Sequence, residues 1–168
     1  MKIRILDKAK KKKVVGGLLD FGVEKVPWLL IRSGSEKIRA YSGALSREEI
    51  MEFFRLFPVE AAGLYFAKEI VDRNGVREFR LSLDALKILE GQIKKRVVVL
   101  TRKQEEEWFR GKNIELEAGQ TAGFEKIQGY VAVMSADKKD FIGTGKAGVG
   151  RIIYNYLPKE RRRKGSGA

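Results

Sequence analysis

Residues 141–164 read FIGTGKAGVGRIIYNYLPKERRRK. Phe141 to Lys146 is an apolar strand carrying Gly143 and Gly145, and glycines inside a strand permit bending and close packing. Arg151 to Leu157 alternates, which puts Ile152, Tyr154 and Tyr156 on one face and Arg151, Ile153, Asn155 and Leu157 on the other. Pro158 stops the strand. Lys159, Arg161, Arg162, Arg163 and Lys164 follow. A packed barrel element that feeds into a basic, aromatic-bearing edge suits phosphates and unpaired bases. Lysines and arginines neutralise phosphate, Tyr154 or Tyr156 can stack a base, and Asn155 can read a base edge. Either tyrosine can instead pack into a core, and the terminal arginines can instead form a floppy tail. No basic recognition helix is present, so RNA is favoured over duplex DNA.

Working back from this stretch, Gly129 to Ser135 reads as a strand and Val97 to Leu100 as a short strand buried on both sides. Thr101 and Gln104 form a capping box that opens a brief helix through Phe109, which Gly111 breaks. Ile114 to Glu117 is short and extended. Several short strands with one small helix suggest a compact barrel. A boundary falls near Gly91 to Lys95.

Upstream the texture is mixed α+β. Residues 7–20 suit a helix with Val14, Val15, Leu18 and Leu19 on one side, although Gly16 and Gly17 each cost about 1 kcal/mol relative to alanine. Gly22 is its stop. Trp28 to Arg32 and Lys37 to Ser42 form a hairpin. Ser46 and Glu49 form a second capping box. Ile50, Phe53, Phe54 and Phe57 follow at helical spacing, so these phenylalanines are expected in the core. Gly63 to Val71 and Val76 to Leu81 pair through Asn74-Gly75, a tight turn in which both residues prefer positive φ. Ser82 caps a short helix that ends at Gly91.

The chain has 168 residues, enough for one ordinary domain or two small ones. Its 35 Lys and Arg against 22 Asp and Glu leave a net charge of +13. Most of the excess lies in residues 1–13, with Lys2, Arg4, Lys8 and Lys10 to Lys13, and in residues 159–164. Charge concentrated at two ends concerns partners rather than fold, and nucleic acid is the leading partner. High Lys, Arg and Glu content without cysteine also fits a heat-adapted source. No apolar run approaches the roughly 18–20 residues of a membrane span. The cationic early residues lack an apolar core after them, so no secretory signal is read. A soluble cytoplasmic protein is the expectation.

Catalytic chemistry finds little support. The chain has no cysteine and no histidine, which removes disulfides, thiolate catalysis, cysteine zinc sites and the commonest general base. Gly143-Thr-Gly145-Lys146 lacks the phosphate-loop spacing, and no helix follows it. Glu105 to Glu107 are consecutive on a helix and do not converge. There is no nucleophile elbow. Neither a catalytic residue, a cofactor nor a metal is expected.

Residues 94–163 resemble a PUA-like RNA-binding domain. The resemblance rests on KKRVVVLT at Lys94–Thr101, WFRGKNI at Trp108–Ile114, GYVAVMSAD at Gly129–Asp137 and FIGTGKA at Phe141–Ala147. The closing GRIIYNYLPKERR is similar to the PUA-like domain appended to Sun/Fmu-type RNA 5-methylcytosine methyltransferases, with Asn155, Pro158 and Lys159 matching an N-x-x-P-K ending. Upstream, FRLSLDALKIL at Phe79–Leu89 resembles the pre-PUA domain of Nip-type ribosome-biogenesis factors. The resemblance implies an α+β pre-PUA domain over residues 1–93 and a PUA-like β-barrel over residues 94–168. It further implies a stand-alone archaeal RNA-binding protein acting in ribosomal RNA processing or modification. Those methyltransferases use a cysteine nucleophile and an S-adenosylmethionine domain. This chain has neither and cannot perform the reaction alone. By carry-over, RNA is expected to meet Lys112, Lys146, Arg151, Asn155, Lys159, Arg161 and Arg162, with Tyr154 and Tyr156 as stacking candidates and Gly111 and Gly143 serving backbone geometry. Ribosomal RNA is expected ahead of transfer RNA, with an RNA-modifying enzyme or pre-ribosomal particle as a further partner. Two alternatives stand beside this: an accessory subunit that binds such an enzyme mainly through protein contacts, marked by apolar residues exposed on the N-terminal half, and a lysine or carboxylate enzyme.

Overall fold

The computed structural model describes residues 3–121 and 123–164, with Glu125 as backbone only. Lys2 of the basic N-terminal run therefore lies outside the described residues. The fold is α+β, built on two five-stranded sheets.

The first sheet is an antiparallel meander in chain order: β1 (Ile3–Ile5), β2 (Leu29–Ser33), β3 (Lys37–Tyr41), β4 (Leu64–Val71) and β5 (Arg77–Leu81). Helix α1 (Lys8–Leu18) covers one face. Asp7 caps it by accepting from the Lys10 amide at 2.8 Å. Gly17 is tolerated there because Phe79 presses against it, and a Cβ at that position would lie 2.3 Å from the ring. The β4–β5 hairpin forms as read, but its turn is wider than the dipeptide signal suggests. Gly75 adopts φ +79° while Asn74 does not take positive φ. The Asp72 carboxylate accepts from the amides of Asn74 and Val76, both at 2.8 Å, which favours this turn over the tighter one.

The phenylalanine stripe departs from expectation. Helix α2 (Arg47–Leu56) has its full capping box, with Glu49 N–H donating to Ser46 Oγ at 3.2 Å and Ser46 N–H to Glu49 Oε2 at 2.6 Å. Yet within it only Ile50 is buried; Phe53 and Phe57 are 46% and 53% exposed. Among the strands, α2 lies chiefly against three-residue β1. At 1.5 Å per residue the ten-residue helix is about 15 Å long, more than so short a strand can cover. Periodicity identified an apolar face correctly; among the described residues no core large enough to receive it lies against α2.

Helix α3 (Leu83–Ile88), capped by Ser82, leads into the second sheet. Its order is β6 (Val97–Val99), β8 (Gly129–Met134), β9 (Phe141–Ala147), β10 (Ile152–Asn155) and β7 (Ile114–Glu115), with α4 (Arg102–Phe109) between β6 and β7. Strand β6 runs parallel to β8, and the other pairs are antiparallel. The sheet curls into half a barrel rather than closing, because its edge strands have only three and two residues. Two glutamines join the edges instead. Gln120 Nε2 donates to Val99 O at 2.7 Å and Gln104 Nε2 to Glu115 O at 2.9 Å. The two side-chain amides also bond each other reciprocally, at 2.9 and 2.8 Å.

The strand most fully buried on both faces is β8 rather than β6, which is only partly covered. Tyr130 and Ala132 enter the core of the first sheet, and Val131 and Val133 enter the half-barrel core around Trp108. The halves are therefore packed together. Thr144 Oγ1 donating to Leu81 O at 2.7 Å and the Lys146–Glu78 pair at 2.8 Å add polar links.

Gln104→Ala is expected to destabilise the fold by about 3 kcal/mol, since it strands buried amide and carbonyl groups; a loss under about 1 kcal/mol in urea unfolding would count against the edge-joining role. A second expectation concerns pH. Burial alone would raise the Glu69 carboxyl, but hydrogen bonds and charge from Arg32 and then Arg77 outweigh it and hold the group below its ordinary 4.5. A depressed carboxylate stabilises fully above the unfolded value and loses that contribution as pH falls through the folded one. The stability gap between wild type and Glu69→Gln should be constant near neutrality and shrink below pH 4.5. A gap unchanged at acid pH would contradict this.

Candidate nucleic-acid interface

On β10 the alternation holds: Ile153 and Leu157 are buried, while Tyr154 and Tyr156 point outward at 44% and 39% exposure. The register sets Tyr130, Lys146 and Tyr154 side by side across β8, β9 and β10. Tyr130 forms the floor. Lys146 Nζ sits 5.1 Å from its ring centroid, and Tyr156 meets its ring edge-on at 5.4 Å. Burial, then the neighbouring Tyr156, pushes the Tyr130 phenol up to about 12, so it is neutral at physiological pH. Arg80 of β5 stacks on Tyr156, its guanidinium carbon 5.1 Å from the ring centre.

Two hollows flank this ridge. A groove of about 260 Å³ between the halves is lined by Arg80, Thr144, Tyr156, Pro158, Asp84 and Arg161. A shallower hollow of about 530 Å³ has Lys146, Tyr154, Gly148 and Gly150 on its walls. Cation, aromatic ring and open groove thus alternate along one surface, the arrangement that stacks bases and neutralises phosphates.

The expected residues divide into separate groups. Lys146, Tyr154, Tyr156 and Arg161 line this surface, with Arg161 3.4 Å from Asp84 and Lys146 held by Glu78. Arg151 is exposed in the β9–β10 turn, and Lys159 is exposed in a short 3₁₀ turn after Pro158. Among the described residues neither has a carboxylate partner. The remaining group gathers at the C-terminal end of α4. Gly111 adopts φ +80°, and a Cβ there would lie 2.7 Å from the Arg162 side chain. Arg162 Nε donates to Leu157 O at 3.0 Å, and Arg163 lies over Phe109 at 4.9 Å, so this part of the basic tail is folded back. Lys112 is exposed beside it. Asn155 uses its amide internally. Its Nδ2 donates to Trp108 O at 2.8 Å and Lys112 O at 3.0 Å, and its Oδ1 accepts from Leu157 N–H at 2.8 Å. With both donors spent, it anchors the β10 exit rather than facing the ridge. Gly143, at φ +154°, makes room for buried Trp108, whose ring would lie 3.0 Å from a Cβ there. The indole N–H bonds Ile142 O at 3.1 Å.

Arg80 and Tyr130 were not among the expected residues. Alternation along Arg77–Leu81 shows that Arg80 faces away from Phe79, but only the docking of the two sheets brings it onto Tyr156. Among the described residues no group of three or more His, Cys, Asp and Glu is arranged to hold a metal ion. No helix among them is long and apolar enough to cross a membrane. No protein-family model matches the chain, and no curated protein matches it.

Asn155→Asp should set a carboxylate against two carbonyl oxygens and destabilise the fold by about 2 kcal/mol or more. Unchanged stability together with a selective loss of RNA affinity would instead return Asn155 to base reading.

Proposed function

We propose that the chain binds RNA without catalysis, laying an unpaired segment of a structured RNA along the outer face of the second sheet. The observation that carries this reading is the Arg80–Tyr156–Tyr130–Lys146 ridge between two open hollows, on a chain with net charge +13. Tyr156 and Tyr154 supply ring faces for bases. Lys146, Arg151, Lys159 and Arg161 supply charge for the backbone. Arg162 and Lys112 extend the positive surface around the α4 end. The half-barrel and the meander sheet are read as PUA-like and pre-PUA domains, and ribosomal RNA in ribosome biogenesis or modification, in the cytoplasm, is the favoured setting.

The exposed face of α2 favours a second reading, in which the chain is an accessory subunit of an RNA-processing enzyme. Phe53 and Leu56 of α2, with Phe57 directly after it, are all exposed at helical spacing on one side. Apolar groups concentrated in this way commonly mark a protein contact.

Salt-dependent binding of ribosomal RNA fragments, transfer RNA and duplex DNA tests the proposal. RNA should bind ahead of DNA, with log K falling linearly in log salt at about 0.7 per phosphate contact on single strands. Tyr156→Ala should cost about 1–3 kcal/mol of affinity with the slope unchanged. Arg151→Ala should lower the slope by about 0.7. Equal, weak binding of RNA and DNA that neither variant alters would overturn the reading and leave the protein-contact alternative ahead.

A further inference from the structure

A second charged feature lies away from the ridge, at the far end of the first sheet. There a hollow of about 430 Å³ is lined by Arg4, Lys10, Lys13, Arg32 and Arg77, with Glu69 as its one carboxylate. Arg4 of β1 stands directly across from Arg32 of β2 in the ladder. Like charges so paired repel, and the arrangement is unfavourable unless something negative sits between them. Glu69 does not fill that role, because it is buried and already shared by Arg32 and Arg77, the latter at 2.5 Å. Asp7 is likewise spent on the α1 cap and on Lys10. Among the described residues Arg4 and Lys13 have no carboxylate partner.

The floor of the hollow is built rather than loose. Arg32 is largely buried, and its guanidinium is fixed by Ser35 O at 2.7 Å and by Glu69. Lys13 and Lys10, one helical turn apart on α1, form the roof. Fixed guanidinium groups with lysine ammonium groups above them suit a tetrahedral oxyanion, which takes forked hydrogen bonds from arginine and point charge from lysine.

We propose that this hollow binds a phosphate group. The phosphate can belong to the backbone of the RNA that the ridge holds, a version that rests on the reading above, or to a free phosphate, which does not.

Titration of the full chain with inorganic phosphate, followed by amide NMR against a chloride control at equal ionic strength, tests the site directly. Saturable shifts are expected at residues of β1, α1, β2 and β5 that border the hollow. The double variant Arg4→Ala/Lys13→Ala, which leaves the Arg32–Glu69–Arg77 cluster intact, should weaken this binding about tenfold. The same variant then separates the sources. A comparable loss of RNA affinity, with the salt slope reduced by about 0.7, identifies backbone phosphate; intact RNA binding identifies a free phosphate. Shifts that do not saturate, or that persist unchanged in the double variant, overturn the site, even where RNA affinity falls through long-range charge. Saturable phosphate binding alongside a Tyr156→Ala variant with normal RNA affinity would leave this site standing and remove the ridge.

Discussion

The structure depends on β8 being buried on both faces. A strand in the middle of an antiparallel sheet commonly gives one face to the core and the other to water. Here Val131 and Val133 close over Trp108, while Tyr130 and Ala132 complete the core of the other sheet. Neither half has a finished core without this strand. The candidate interface inherits that dependence, since Tyr130 is both a core residue and the ring beneath Lys146 and Tyr156. The floor of the surface is therefore the seam between the two halves.

The half-barrel has a second constraint, which is how to end a sheet with very short edges. Unpaired edge groups are a liability unless covered. The Gln104–Gln120 pair meets this by taking the carbonyls of Val99 and Glu115, one from each edge. Gln104 also completes the α4 capping box by accepting from Thr101 N–H at 2.9 Å. One side chain thus starts the helix and helps close the sheet, which explains why a polar group is buried beside Trp108.

Local chemistry made much of this legible. The capping boxes at Ser46 and Thr101, the alternation from Arg151 to Leu157, and the break at Gly111 are each decided by a few neighbouring residues, and each stands in the structure. What was not legible depends on contacts between distant segments. Phe53 and Phe57 have the spacing of a core face, but periodicity cannot say whether the same chain offers a surface to cover them. Val97–Leu100 is continuously apolar and reads as buried on both faces, yet it is β8 that lies at the seam. Asn155 has the chemistry of a base reader; its amide was claimed by the Trp108 and Lys112 carbonyls, which meet it only after α4 and β10 pack together. Arg80 lies some distance in sequence from Tyr156 and reaches it only across the seam.

The cations of the two charged surfaces differ in what they can give up. Lys146 and Arg161 hold their carboxylates at partly exposed positions, and such pairs contribute about 0–1 kcal/mol each. An incoming phosphate can replace Glu78 or Asp84 at little cost. In the unbound protein those carboxylates keep the cations extended beside the tyrosines. Arg32 is different, because its carboxylate is buried, and removing one member of a buried pair costs about 3–5 kcal/mol. It can add an oxyanion on its free side but cannot exchange its partner. The ridge is therefore suited to exchanging ligands along a flexible strand, whereas the hollow under α1 is suited to holding one group in a fixed place.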